Sequence, residues 1–405
     1  MVARALELFE AIGGRGAYLA LLQQYPQALH KVADLMCASS WAAEYLTRHP
    51  IVLDELLDPR LFEAANDWPT FRTDLARRLA DEGDDSERQM DILRETHHAQ
   101  LFRLLVQDLA GIHSVEQISD QLTELADSLV AATIPQCWSK LSKRHREAPR
   151  FAVIGYGKMG GKELGYASDL DLVFIYDDDD QSSPEIYNRL AQRMNTWLSS
   201  RTAAGTVYQT DFRLRPNGDA GLLATSMASF VQYQQENAWV WEHQALTRAR
   251  FVAGDPAVGA TFEQVREDIL RQPRDLTKLR EEVLSMRQKM LDNLASNSET
   301  EFDIKHDPGG IVDVEFIVQY LILAHAHQHP ELCANLGNIA LLRIAADLGL
   351  IPAEMADPCR DAYREYRRQQ HIKRLNGTPK ARISRTDQAE RIAAVRALWQ
   401  AVFGR

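Results

Sequence analysis

The sequence GYGKMGGKELGYASDLDLVFI occupies residues 155–175 and joins a glycine pair to two closely spaced carboxylates. Gly160 and Gly161 come first, and Asp169 and Asp171 open the apolar run that follows. That run is rich in β-branched and aromatic residues, which is typical of a buried strand. We therefore predict a glycine-rich turn that leads into a strand whose first residues are acidic.

The two aspartates predict a metal site. Alternate residues of a strand point to the same side, so Asp169 and Asp171 project together while Leu170 and Leu172 point to the core. Two carboxylates on one face repel each other unless a cation joins them. Mg²⁺ prefers carboxylate and phosphate oxygens, so this face could hold a nucleotide triphosphate together with metal. A solvated strand face with no ligand is the simpler alternative.

A third carboxylate lies further along the chain, in a strand predicted over Gly205–Arg215. If this strand pairs with the one that carries Asp171, then Asp211 completes a three-aspartate site. Such a site can hold two metal ions that clamp the entering and leaving oxygens of an in-line displacement. By the two-residue rule, Arg213 and Arg215 share the face of Asp211, where they could contact phosphate or form a purely structural row of ion pairs.

Two further segments suggest phosphate contacts. Backbone amides can approach a phosphate closely at Gly160 and Gly161, because glycine has no side chain. A helix that starts at about Gly161 would direct its free N–H groups towards the triphosphate. Lys305 precedes a Pro-Gly-Gly turn, and we predict that it contacts phosphate or base; the acids that follow the turn, Asp313 and Glu315, could be simple helix-dipole partners.

The chain divides into three predicted regions. Residues 1–148 have helical periodicity throughout, residues 149–256 mix short strands with helices, and residues 257–405 are helical again. The middle region is predicted to contain strands at Phe151–Ile154 and Leu170–Tyr176, a helix over Pro184–Ser200 and a helix over Thr225–Phe251. The fold class is therefore α+β and predominantly helical.

Composition excludes several classes of protein. The 405 residues carry a formal net charge of -11, which argues against a long nucleic-acid substrate, because such proteins have a basic footprint. The four cysteines form no CxxC pair, which argues against a zinc or redox site and fits a reducing, cytoplasmic compartment. The absence of a run of about 20 apolar residues indicates no membrane partner.

Several motifs in this order resemble those of the glutamine synthetase adenylyltransferase family. They are residues 155–174, the segment DFRLRP at 211–216, the segment WEHQALTRAR at 241–250, the segment 302–316 and the helical stretch 41–58. The resemblance covers nearly the whole chain. It implies a polymerase β-like nucleotidyltransferase core flanked by N-terminal and C-terminal helical domains.

The resemblance also implies an activity. Family members carry two related nucleotidyltransferase units: one transfers AMP from ATP to a tyrosine of glutamine synthetase and releases pyrophosphate, and the other removes the AMP by phosphorolysis. One such signature occurs here, and Gly155-Tyr-Gly157, Tyr166-Ala-Ser168 and the WEHQAL segment are more similar to the C-terminal, adenylylating unit. Phosphorolytic removal of AMP, or a silent nucleotide-binding module that regulates by docking, are the alternatives.

The resemblance implies site residues, cofactors and partners as well. Asp169, Asp171 and Asp211 match the metal carboxylates, which would hold two Mg²⁺ or Mn²⁺ ions, and Asp211 would accept the tyrosine proton. Gly160 and Gly161 match the phosphate-binding turn. The other residues expected to contact ATP are Ser168, Arg213, Arg215 and Lys305. Glutamine synthetase is the expected protein substrate, and a PII signalling protein is expected to regulate the full-length enzyme.

Overall fold

The computed structural model describes residues 2–14, 16–62, 66–296, 298–378 and 380–404. The fold class is confirmed: the chain is an α+β protein in which helix predominates. The α-helices are α1 (Val2–Ile12), α2 (Gly16–Gln24), α3 (Pro26–Ala38), α4 (Ser40–Arg48), α5 (Trp68–Asp81), α6 (Ser86–Leu109), α7 (Val115–Ser139), α8 (Gly157–Gly160), α9 (Ser183–Ser199), α10 (Met227–Glu236), α11 (Val240–Leu246), α12 (Pro256–Leu270), α13 (Leu276–Leu294), α14 (Ile311–His325), α15 (Asn338–Asp347), α16 (Ala353–Leu375) and α17 (Ala389–Phe403). The strands are β1 (Phe151–Gly155), β2 (Leu170–Tyr176), β3 (Thr210–Asp211), β4 (Ala224–Ser226), β5 (Arg250–Gly254), β6 (Glu301–Asp303) and β7 (Arg382–Ser384).

The chain forms two compact units. The first comprises residues 1–132, 200–207 and 370–380, and the second comprises residues 133–199, 208–369 and 381–405. The second unit thus contains most of the region predicted as the core together with most of the region predicted as the C-terminal domain. The three-domain division with boundaries at 148 and 256 remains a prediction.

In the first unit, a fully buried arginine on α6 fixes an irregular segment. The Arg94 side chain donates to the carbonyl oxygens of Gly205 (2.9 Å) and Ser200 (2.6 Å). Gly205 has φ +108°, a conformation that favours glycine, and a Cβ there would lie 2.6 Å from His98 Nε2. These carbonyl contacts satisfy part of the buried guanidinium, which would otherwise be costly to bury.

The second unit is built on a mixed five-stranded sheet. β1 pairs antiparallel with β2 on one side and with β5 on the other. The outer edge of β2 is shared by two short parallel strands, β3 at its first residues and β4 at its last. β1 and all of β2 except Asp171 are buried, which explains why both read as apolar runs in the sequence.

The predicted strand and helix boundaries hold in part. The strand over Leu170–Tyr176 is confirmed, and Ser226 caps α10 through a hydrogen bond from Ser229 N to its Oγ. The helix predicted over Thr225–Phe251 is wrong at its end, because β5 begins at Arg250 and pairs with β1. The strand predicted over Gly205–Arg215 is shortened to Thr210–Asp211, since the chain turns at residues 213–217.

α14 is the central helix of the C-terminal part of this unit. Twelve of its residues are buried, so it is apolar nearly all round, as expected for a helix enclosed by others. It packs on α13, α15 and α17. No helix in the described ranges is long and apolar enough to cross a membrane.

Candidate active site

The three predicted carboxylates meet at one edge of the sheet. β2 and β3 run parallel, with Asp171 directly opposite Asp211 and Leu170 opposite Thr210. Asp169 precedes β2 and is exposed, whereas Leu170 and Leu172 are fully buried. The pairing of the two strands that a three-aspartate site requires is therefore present.

The environment of Asp171 disfavours its negative charge. Burial raises the pKa of Asp171 from 3.8 to about 6, and the charges of Asp169 and Asp211 contribute to the rise. Lys158 and Arg248 oppose the rise but do not cancel it. A cation at this position would relieve the repulsion among the three carboxylates.

Asp211 is paired with an arginine. Its Oδ1 accepts a hydrogen bond from the backbone N of Arg213 (2.8 Å), and its Oδ2 accepts one from Arg213 Nε (2.8 Å). Hydrogen bonding to Arg213 lowers the pKa of Asp211. The Arg213 side chain is 77% exposed, so it can leave the carboxylate without disturbing the core.

Arg215 does not share this arrangement. It lies beyond the end of β3, in the turn, and its buried side chain donates to the carbonyl oxygen of Phe212 (2.8 Å) and weakly to that of Gly221 (3.3 Å). The expectation that Arg213 and Arg215 line one strand face is wrong, because the strand stops at Asp211. Arg215 still lies close enough to lower the pKa of Asp211.

The glycine segment, residues 157–161, contains the end of a helix where the sequence predicts the start of one. The short helix α8 ends at Gly160 rather than starting near Gly161. Gly160 N donates to Tyr156 O (2.8 Å), and Gly161 N donates to Gly157 O (3.1 Å). Both amides are therefore already engaged with backbone carbonyls, and the predicted helix start with free N–H groups at the glycine pair is wrong.

Gly157 is the glycine that contacts the carboxylates. Its φ is +53°, and a Cβ there would overlap Asp171 Oδ2. Only glycine meets both conditions without strain. Gly157 is not among the site residues predicted from the sequence, although the Gly155-Tyr-Gly157 spacing at the end of β1 is visible there.

Ser168 supports the turn before the aspartates. Its Oγ accepts a hydrogen bond from Gly165 N (3.0 Å), and its backbone N donates to Gly165 O (3.1 Å). The side chain is partly exposed. Ser168 thus shapes the approach to Asp169, and its predicted contact with nucleotide stays a prediction.

Two lysines lie near the carboxylates. Loss of hydration lowers the pKa of Lys158, and the charge of Lys305 contributes to that lowering, whereas Asp169 opposes it. Lys158 is therefore within electrostatic reach of both Lys305 and Asp169. The sequence predicts a role here for Lys305 but gives no signal for Lys158.

Three buried aspartates fix the turn that carries Lys305. Asp303 Oδ1 accepts from Lys305 N and His306 N, each at 3.0 Å. Asp307 accepts from Ser296 N (2.6 Å) and Arg385 Nη2 (2.9 Å). Asp313 accepts from Gly309 N (2.6 Å) and Arg287 Nε (2.6 Å), so its role is a buried ion pair rather than a helix-dipole contact at the surface.

The donor set suits a hard divalent cation. It consists of carboxylate oxygens that repel one another, which is the chemistry that Mg²⁺ and Mn²⁺ accept. Among the residues that the structure describes, no three Asp, Glu, His or Cys side chains are grouped closely enough to hold a metal ion as they stand. Asp211 would have to exchange Arg213 for the cation.

Comparison with known proteins assigns the family. Residues 29–265 match the sequence model of a family described as glutamate-ammonia ligase adenylyltransferase, and residues 277–398 match that of GlnD PII-uridylyltransferase. The chain is 60% identical over 403 residues to the bifunctional glutamine synthetase adenylyltransferase/adenylyl-removing enzyme of Aromatoleum aromaticum, covering 100% of this chain and 43% of that protein. The proteins of the same description from Chromobacterium violaceum (54% over 404 residues; 99% of this chain, 44% of the relative) and Nitrosomonas europaea (53% over 419 residues; 99% and 45%) are also similar.

The similarity extends along all of this chain but only part of each relative. The chain spans less than half the length of the curated relatives that it matches. With a family model that matches more than half of its residues and a three-aspartate edge in the matched region, the chain belongs to the glutamate-ammonia ligase adenylyltransferase family.

Proposed function

We propose that this chain transfers AMP from ATP to a tyrosine of glutamine synthetase and releases pyrophosphate. The observation that carries the proposal is the pairing of Asp171 opposite Asp211, with Asp169 two residues before Asp171 and close enough for its charge to raise the pKa of Asp171. The names of the relatives, which describe a glutamine synthetase adenylyltransferase, support the protein substrate. We further propose that the mixed sheet with its adjoining helices, residues 149–256, is a nucleotidyltransferase core like that of polymerase β.

In this proposal Asp169, Asp171 and Asp211 hold the metal ions, Mg²⁺ or Mn²⁺. Two such ions, if bound there, would supply positive charge to the triphosphate and to the entering and leaving oxygens. The tyrosine oxygen forms a bond to the α-phosphorus while the bond from that phosphorus to pyrophosphate breaks. The phenolic proton passes to Asp211, once Arg213 has released its carboxylate.

The residues around the carboxylates orient the nucleotide. Lys158 is a cation within electrostatic reach of Asp169 and of Lys305, and we assign both lysines to the phosphates. Arg213, freed from Asp211, would pair with phosphate oxygens in the same region. With reacting groups held in place and charges arranged beforehand, catalysis is mainly positioning and electrostatic stabilisation.

Removal of AMP by phosphate is the second candidate, because the names of the relatives include an adenylyl-removing activity. It would use the same carboxylates and release ADP. The match of residues 277–398 to a PII-uridylyltransferase family suggests that a PII-type protein is a regulatory partner. If glutamine synthetase and a PII-type protein are partners of this chain, a cytoplasmic location follows.

The test is incubation of the chain with Mg²⁺, ATP labelled at the α-phosphate, and unmodified glutamine synthetase. We expect label on the synthetase with the wild type and none with the Asp169→Asn/Asp171→Asn variant. Release of ADP from pre-adenylylated synthetase and phosphate, without labelling in the forward direction, would assign the removing reaction instead. Nucleotide binding with neither reaction would indicate a silent regulatory module.

A further inference from the structure

A cluster of charged and hydroxyl side chains lies beside the glycine segment. We call it the Arg248 cluster; its members are Glu163, Arg248, Glu315, Tyr363 and Arg367. Arg248 Nη2 donates to Glu163 Oε2 (2.6 Å), and Arg248 Nη1 donates to Glu315 Oε1 (2.6 Å). Arg367 Nη1 lies 3.0 Å from Glu163 Oε1, and Tyr363 OH donates to the same oxygen at 3.0 Å. The cluster thus joins the loop after α8 to α14 and α16.

The cluster is largely removed from solvent. The side chains of Glu163 and Arg248 are 8% and 14% exposed. Burial would raise the pKa of Glu163, but the charges of Arg248 and Arg367 outweigh it and hold the pKa below its usual value. A buried pair like this one contributes little net stability, whereas removing one partner is costly, because the other charge is left unpaired. We therefore expect the Arg248 cluster to specify local geometry rather than to add net stability.

Arg248 lies directly against the glycine pair. A Cβ on Gly160 would overlap the Arg248 carbonyl oxygen, and a Cβ on Gly161 would lie 2.6 Å from its Nη2. The two glycines are thus explained by the close approach of Arg248 rather than by free amides. Any larger residue would push Arg248 away from Glu163 or displace the segment.

The other end of the same segment meets a catalytic carboxylate. Gly157 lies against Asp171 Oδ2, and Gly161 N is hydrogen-bonded to Gly157 O (3.1 Å). Glu163 N also donates to Lys158 O (2.7 Å). A continuous path of contacts therefore runs from Arg248 through the glycine segment to Asp171.

We infer that Arg248 is a positioning residue, which holds the glycine segment against Asp171 and ties the site to helices α14 and α16. The expected effect on turnover rests on the proposed function, whereas the expected displacement of the glycine segment does not. Displacement of the segment would misplace Asp171 relative to ATP, and a misplacement of about 1 Å can lower turnover by about 100-fold.

The experiment compares Arg248→Lys with a matched control, Arg266→Lys. Arg266 is 3% exposed and donates to the carbonyl oxygens of Leu246, Thr247 and Cys333, so it is at least as buried as Arg248 but makes none of these contacts with the glycine segment. We expect Arg248→Lys to lower kcat for AMP transfer by about 100-fold, with an unchanged KM for glutamine synthetase. Arg266→Lys should lose thermal stability without this loss of kcat. Equal losses of kcat in the two variants, or a loss confined to KM, would overturn the inference.

A double variant tests the contact itself. Gly161→Ala should displace the guanidinium and lower kcat in the same way as Arg248→Lys. Since both changes disturb one contact, Arg248→Lys/Gly161→Ala should lose no more than the worse single variant. Losses that multiply would show that the two residues act independently, contrary to the inference.

Hydrogen exchange separates this inference from the proposed function. The amides of Gly160 and Gly161 should exchange faster in Arg248→Lys than in the wild type, and should be unchanged in Arg266→Lys. Faster exchange in a chain whose wild type transfers no AMP would leave the positioning role in place and remove the proposed activity. Unchanged exchange in Arg248→Lys would remove the positioning role, whatever the activity.

Discussion

Replacement of Asp171 by asparagine should stabilise the protein while it abolishes activity. The pKa of Asp171 is raised from 3.8 to about 6 by burial and by two neighbouring carboxylates. Each pKa unit corresponds to about 1.4 kcal/mol, so ionised Asp171 destabilises the folded chain at neutral pH by about 3 kcal/mol. The asparagine side chain is nearly isosteric with aspartate and carries no charge, so the substitution would remove most of this destabilisation.

The pH dependence has a definite sign. A carboxyl whose pKa is higher in the folded state favours folding while it is protonated, and that contribution is lost as pH rises from about 4 through about 6. Asp171→Asn has no carboxyl at this position, so its stability does not fall in this way as pH rises. The gain in melting temperature of Asp171→Asn over the wild type should therefore be about half as large at pH 5 as above pH 7, where it should reach roughly 5 to 10 °C.

The assay is thermal unfolding between pH 5 and pH 8, with and without Mg²⁺. Asp179→Asn is the matched control, because it removes the same charge from an exposed loop three residues after β2. Mg²⁺ should stabilise the wild type more than Asp171→Asn, since the cation offsets the repulsion that the variant no longer has. If Asp171→Asn is no more stable than Asp179→Asn at pH 7.5, the three carboxylates do not repel one another as described.

Three other changes test separate parts of the site. Gly157→Ala should cost about 1–2 kcal/mol from its positive φ alone and should lower turnover sharply, because its Cβ would collide with Asp171; normal turnover would show that this contact is dispensable. Arg213→Ala should tighten Mn²⁺ binding measured by titration without nucleotide, because it frees Asp211, and unchanged or weaker binding would contradict the competition between Arg213 and metal. Ser226→Ala should cost about 1 kcal/mol as a lost N-cap with turnover unchanged, and a fall in turnover would mean that α10 contributes to the site.

The sequence was sufficient for the parts of the site that depend on local pattern. The alternation of acidic and apolar residues at Asp169–Leu172 predicted both the strand and the direction of its side chains, because strand periodicity is a property of a few adjacent residues. The site also requires that the strand of Asp211 pair with the strand of Asp171, and the structure satisfies this condition.

The parts that failed depend on contacts distant in sequence. The end of β3 at Asp211 could not be predicted, since Arg213 and Arg215 continue the alternation but lie in a turn, where Arg213 contacts the Asp211 carboxylate and Arg215 contacts the Phe212 carbonyl oxygen. The glycine pair suggested a phosphate turn, but its actual neighbour is Arg248, which no local pattern connects with it. A buried ion pair between segments distant in the sequence leaves no local pattern, because each partner is a single charged residue.

The brevity of β3 has a consequence for how the site assembles. Asp211 is held to the sheet by a strand of two residues, whereas Asp171 belongs to a strand of seven that is paired on both edges. Opening free energies differ across a structure according to such local support, so we expect β3 to detach from the sheet edge far more often than β2 unfolds. Asp211 can then leave and rejoin the sheet edge while Asp171 stays fixed, and the proposed metal site would alternate between a complete and an incomplete set of carboxylates without any change in the core.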